Sequence, residues 1–141
     1  MIVVDTNVIA YLWLEGERTE EVQRAYRRDP CWRVPPLWRS EFLNVLATGV
    51  RNDVIVEEQA LILWSRASGM LWGKEIEPRG EDVLATAIRQ GISAYDAQFV
   101  CVAVNLGCPL VTADLALVRK CPGTAVALSS FGSGSQEPIQ K

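Results

Sequence analysis

The sequence predicts an α/β fold built on a parallel sheet, and three observations carry that prediction. Short β-branched apolar runs alternate with longer segments of helical period along the chain. The first run, residues 2–4, is continuously apolar, as suits a strand covered on both faces. The chain has 141 residues, 49% of them apolar and 22% charged, enough for one domain with a sizeable core.

Taken in order, residues 2–4 make the first strand. A helix follows over residues 7–14, stopped near Gly16, and a second over 19–28, with Thr19 as its N-cap and Pro30 beyond its end. Residues 31–34 form a second strand, after which Pro35-Pro36 sets up a helix over 37–51. The next helix, over 57–71, opens with two acids suited to its positive end. Residues 74–77 alternate weakly and make a third strand, closed by Pro78-Arg79-Gly80. Helices over 81–90 and 93–106 come next, and the latter is apolar on nearly every face, so it is expected to be central. Two more strands, over 109–112 and 124–128, flank a short helix over 115–120. Residues 1–130 are expected to form one domain, and 131–141, rich in Gly, Ser, Gln and Pro, a flexible tail.

Composition removes several function classes. No apolar run reaches the roughly 18 residues of a membrane span; the longest uncharged stretch, 97–113, is broken by Asn105, Gly107 and Pro109. The first residues, MIVVDTN, have no basic region and meet Asp5 too early for a signal peptide, so a cytoplasmic protein starting at Met1 is expected. The chain has no histidine, which removes Ser-His-Asp and Cys-His catalysis and every imidazole-based metal site. Cys31, Cys101, Cys108 and Cys121 form no C-x-x-C pair and are expected to be reduced, buried small hydrophobes.

Chemistry must then rest on carboxylates, hydroxyls or thiols. Asp5 follows the first strand directly and Asp114 follows the 109–112 strand, where open α/β sheets place their ligand sites. Each also suits the N-cap of the helix after it, so both uses stay open. On the 37–51 helix, Trp38, Phe42, Val45, Leu46 and Gly49 share one arc, while Ser40, Glu41, Asn44 and Thr48 share the other. That polar stripe holds a single acid, which suits the wall of a site as well as a solvated face. Asp96 lies in Ser93-Ala94-Tyr95-Asp96, with the spacing of a capping box. All four acids lie beside apolar elements, and four converging carboxylates cannot all stay charged without a cation. Oxygen donors without imidazole point to Mg²⁺ or Mn²⁺, which polarises a phosphoryl oxygen and lowers the pKa of bound water. Phosphodiester hydrolysis is the reaction class that follows.

Asp5-Thr6-Asn7, the Pro-Pro-Leu-Trp-Arg-Ser-Glu-Phe-Leu-Asn-Val-Leu segment around Glu41, Ser-Ala-Tyr-Asp-Ala around Asp96, and Leu-Val-Thr-Ala-Asp ending at Asp114 together resemble a PIN-domain ribonuclease. The nearest kind is the VapC toxin of toxin-antitoxin pairs, and the resemblance covers residues 1–128 with its four motifs in family order. It implies a three-layer α/β/α domain with a five-stranded parallel sheet and Mg²⁺-dependent RNA cleavage. It also implies Asp5, Glu41, Asp96 and Asp114 as the catalytic, metal-binding carboxylates, with Thr6, Asn7, Asn44 and Thr112 orienting them. A homodimer and a VapB-type antitoxin are its expected partners. Many relatives carry another polar or acidic residue shortly after the last Asp; here Leu115-Ala116-Leu117 follows, which argues against a complete second metal site.

Charge does not oppose an RNA substrate. Setting the four acids aside leaves 13 against 14 basic residues, 11 of which are Arg, and Arg39 and Arg119 lie nearest the motifs. A catalytically inactive PIN-like binding module is the alternative, and such modules tend to lose the carboxylates retained here. An aspartyl-nucleophile phosphatase would need an acid two residues after Asp5, where Asn7 stands, and a receiver domain would need a paired acid near the first strand.

Overall fold

A computed structural model describes residues 1–132. Four parallel strands, β1 (Ile2–Val4), β2 (Trp32–Arg33), β3 (Leu110–Thr112) and β4 (Ala125–Ala127), form one sheet in the order β2-β1-β3-β4. The register pairs Ile2 with Trp32, Val3 with Leu110, and Leu110 with Ala125. The expected fifth strand is reduced to one parallel bridge between Val34 and Glu75, so the sheet has four strands rather than five. Val34 makes both bonds of that bridge, donating to the Lys74 carbonyl at 3.3 Å and accepting from the Ile76 N–H at 2.9 Å, and Pro35-Pro36 beyond it have no N–H to extend the ladder.

Helices cover both faces. On one side α1 (Thr6–Trp13) packs against α2 (Thr19–Arg28), α3 (Trp38–Arg51) and α4 (Glu57–Met70). The others are α5 (Gly80–Gln90), α6 (Ala94–Leu106), α7 (Leu115–Lys120) and α8 (Leu128–Gly132). As its all-round apolarity predicts, α6 is central: Phe99 through Ala103 are all buried, and it packs on β1, β3 and α5. The fold is the three-layer α/β/α arrangement, with Val3, Val4, Trp32, Phe42, Val102 and Val111 among its solvent-free core.

Three expectations are corrected. The helix expected from residue 7 begins at Thr6, because Asp5 caps it by accepting the Thr6 N–H at 2.8 Å. Thr19 is the first residue of α2, not its cap, and its hydroxyl accepts instead from the Gly16 N–H at 2.8 Å. Only Cys101 and Cys121 are buried; Cys31 and Cys108 precede β2 and β3 at the amino end of the sheet and are half-exposed.

The tail expected from residue 131 is helical at its start, since α8 runs through Gly132, two residues past the expected boundary at 130; the rest of that stretch lies outside the described residues. Two arginines of α2 hold α8: Arg24 Nε donates to the Gly132 carbonyl at 2.8 Å and Arg28 Nη1 to that of Phe131 at 3.2 Å. The Arg28 guanidinium also covers the Phe131 ring at 4.3 Å. Gly132 is required by close approach, because a Cβ there would lie 2.4 Å from the Glu21 backbone oxygen. Gly132→Val is expected to cost about 1–3 kcal/mol in urea denaturation, with α8 lifted off α2.

Candidate active site

Strand order places the site. From β1 the chain steps to β2 on one side and later crosses to β3 on the other, so β1 and β3 flank the switch point of the sheet. Open α/β sheets have their ligand crevice at such a point, beyond the carboxyl ends of the strands. Asp5 directly follows β1 and Asp114 lies two residues past β3, so both stand at its mouth.

Asp5 is the anchor. It is 8% exposed, and its two oxygens are held separately. Oδ1 accepts from the Thr6 N–H, while Oδ2 accepts from the Thr112 hydroxyl at 2.7 Å and the Asn7 amide at 3.4 Å. Thr112 Oγ1 in turn accepts from the Asp114 N–H at 3.0 Å, and Asn7 Oδ1 from the Ala113 N–H at 3.2 Å. The Thr-Ala-Asp turn after β3 is thus tied to the Asp-Thr-Asn turn after β1. Asp114 caps α7 with Oδ1, which accepts from Ala116 and Leu117. Asp5 and Asp114 are therefore helix caps and crevice acids at once, and the two readings of each do not compete.

The other two acids arrive on helices. Proline at 35 and 36 starts α3 so that Glu41 sits in its first turn, where Oε1 accepts from the Thr6 hydroxyl at 2.7 Å. Asp96 lies in the first turn of α6, whose N-cap Ser93 accepts from the Asp96 N–H at 3.0 Å; the return bond of a full capping box is not made.

The electrostatics tie these groups together. Burial pushes the Asp5 carboxyl up to about 6, against the bonds from Thr112 and Thr6, and repulsion from Asp96 and Glu41 adds to the rise. Burial, with repulsion from Asp96, also raises Glu41. Asp96 is raised by burial and by Asp114, and lowered by Ser93 and Lys120. The crevice is thus a cluster of mutually repelling carboxylates. Among the described residues no group of three or more closes tightly enough to chelate an ion by itself. The donor chemistry still suits a hard divalent cation, being all oxygen and offset by one ammonium, that of Lys120.

A pH dependence follows from Asp5. Its folded value stands above its ordinary 3.8, so the native state binds the extra proton and stability is lost as pH rises through about 6. Metal-free protein is expected to be about 1 kcal/mol more stable at pH 5 than at pH 7.5 in urea titrations. Glu41 and Asp96 push the same way.

The remaining predicted residues divide. Thr6, Asn7 and Thr112 hold the acids, whereas Asn44 is exposed on α3 and its side chain makes no hydrogen bond among the described residues. Arg39 is committed elsewhere, since its Nε and Nη2 both donate to Glu75, the former at 2.6 Å. Arg119 is exposed at the end of α7. Sequence reasoning missed its neighbour Lys120, whose Nζ donates to the Gly91 carbonyl at 3.1 Å beside the start of α6. The basic pair closing α7 was the only available signal.

Four parallel strands, a switch point between β1 and β3 and acids on both strand ends define an α/β domain of the PIN class. The PIN domain family model matches residues 2–121, and the chain belongs to that family. It is 28% identical over 124 residues to Ribonuclease VapC3 of Pyrobaculum aerophilum, covering 86% of this chain and 95% of that protein. The crystal structure of PAE2754 from Pyrobaculum aerophilum superposes with a TM-score of 0.74 at 22% identity, covering 94% of this chain and 93% of that one, which supports the fold.

Proposed function

We propose that this protein is a Mg²⁺-dependent endoribonuclease, with Mn²⁺ as a substitute, and the toxin of a VapBC-type pair. The observation that carries the reading is Asp5, a carboxylate buried at the switch point, held from both sides and in charge contact with Glu41 and Asp96. The relative named Ribonuclease VapC3 supports RNA as the substrate. Asp5, Glu41, Asp96 and Asp114 would hold the cation, with waters completing its shell, as Mg²⁺ keeps several of them. When bound, it supplies charge stabilisation at a phosphoryl oxygen and a more acidic water.

The protein's own groups do the positioning. Thr112 and the Thr6 N–H fix the Asp5 rotamer, and the Thr6 hydroxyl fixes Glu41 against it. Lys120 offsets charge beside Asp96. A cytoplasmic homodimer held inactive by a VapB antitoxin completes the proposal, with Arg39 and Arg119 as candidate RNA contacts.

The test is cleavage of labelled transfer and ribosomal RNAs by protein freed of antitoxin, with Mg²⁺, Mn²⁺ or EDTA, beside an Asp96→Asn variant. Discrete products that need both metal and Asp96 are expected. Equal behaviour of the two proteins on every RNA would leave the acids as helix caps and favour a binding module.

A further inference from the structure

Trp72 is 81% exposed, ahead of Ile88 at 72% and Val54 at 70% among the described large hydrophobic residues. It stands in the turn after α4, on the rim of a cavity of about 220 Å³ that it shares with Trp38, Arg39, Trp64, Ser68 and Glu75. Trp38 and Trp64 stack at 5.6 Å and 29° and form an aromatic floor. The cavity is smaller than the roughly 300 Å³ from which pockets take a drug-sized ligand, so it suits a single planar ring.

Its polar groups are those that read a ring edge. Arg39 spends Nε and Nη2 on Glu75, while its Nη1 donors have no partner among the described residues. The Ser68 hydroxyl donates to the Trp64 carbonyl at 2.7 Å and keeps its own acceptor capacity. A guanidinium held along one edge by a carboxylate presents the other edge to carbonyl oxygens or ring nitrogens. Glu75, neutralised by that pairing, does not oppose a phosphate chain nearby.

Position links this cavity to the crevice. Arg39 and Glu41 both lie in the first turn of α3, about 200° apart around the axis, so one helix end serves the cavity on one side and the acids on the other. We propose that Trp72, with Arg39 behind it, forms a subsite that stacks one unpaired nucleobase of an RNA whose backbone runs over the carboxylate crevice. The subsite rests on the ribonuclease reading above. Aromatic platforms of this kind accept any base by its π-face, and the Arg39 edge adds a preference for bases with acceptors there.

The test uses full-length protein in an Asp96→Asn background and fluorescein-labelled RNA octanucleotides of A, C, G or U, read by anisotropy. Trp72→Ala is expected to weaken the tightest octamer about tenfold, and Trp72→Phe about threefold or less. One abasic position in the octamer should cost protein carrying Trp72 the same factor, and cost Trp72→Ala nothing further. Octamers bound equally with and without Trp72 would overturn the subsite and leave the ribonuclease reading standing. Failure of every octamer to bind, together with failure of Trp72-containing protein with Asp96 intact to cleave any RNA, would overturn both. A shift in oligomeric state on Trp72→Ala by light scattering, with RNA affinity unchanged, would overturn the subsite by assigning Trp72 to a contact between copies of this chain.

Discussion

Asp5→Asn is expected to abolish RNA cleavage and, in the same variant, to raise the stability of the metal-free fold. Cleavage should fall by more than about a hundredfold, the loss that removing even an outer partner of a metal ligand can reach. Stability should rise because the native state carries a buried charge that it disfavours, with Asp5 pushed up to about 6. Asparagine keeps the shape without the charge. Its oxygen can still accept from Thr6, and its amide can donate to Thr112, whose hydroxyl continues to accept from the Asp114 N–H. The long contact from Asn7 is lost, and so is the acceptor of the buried Thr112 hydroxyl proton. At pH 7.5 the net gain should be about 1–2 kcal/mol, read as several degrees in melting temperature. At pH 5 the gain should shrink, because Asp5 is then protonated in the native state. An Asn variant that melts below its parent at pH 7.5 would mean that the Asp5 charge is already balanced within the fold. Such a gain in stability at the cost of activity is the usual mark of a functional charge cluster.

Trp38→Ala should produce the largest loss of stability of any single change considered. Trp38 is 1% exposed, stacks on Trp64, and meets Phe42 at 5.9 Å. Its Nε1 donates to Glu75 Oε2 at 2.7 Å and so joins α3 to the segment that bridges Val34. Removing the indole empties the contact between α3 and α4 and withdraws one of the groups holding Glu75. A cost of about 3–5 kcal/mol is expected in urea denaturation. Trp38→Phe keeps a ring in the stack and gives up the hydrogen bond, for about 1–2 kcal/mol. Hydrogen exchange of residues 71–77 should quicken in both variants, because the bridge is the one backbone tie of that segment to the sheet.

Local signals explain what was legible in the sequence. The β-branched run of Ile2–Val4, the proline pair before α3, and Ser93 ahead of α6 each act within a few residues, and each element stands where they place it. Asp5 and Asp114 were readable as strand-end acids because the residue after a parallel strand must lie at the carboxyl edge of the sheet. Thr112 and Thr6 follow from the same turns. Contacts between distant segments were not legible. Arg39 reads as a wholly free side chain until Glu75, 36 residues later, takes two of its three nitrogens. The weak alternation of residues 74–77 reads as a strand, but only the Val34 and Glu75 pair forms. α8 reads as the start of a tail because Ser129, Ser130 and Gly132 are poor helix formers. Arg24 and Arg28, more than 100 residues earlier, hold its carbonyls. Trp72 could be counted from the sequence, but its exposure beside the buried Trp38 and the half-buried Trp64 could not.

If the four crevice acids form a divalent-cation site, Mn²⁺ titration followed by electron paramagnetic resonance at pH 7.5 should read it out. Saturable binding to the parent protein, competition by Mg²⁺, and loss of the bound signal in Asp5→Asn and Asp96→Asn while both remain folded are expected. Binding that survives both substitutions, or its absence from the parent at millimolar Mn²⁺, would contradict it.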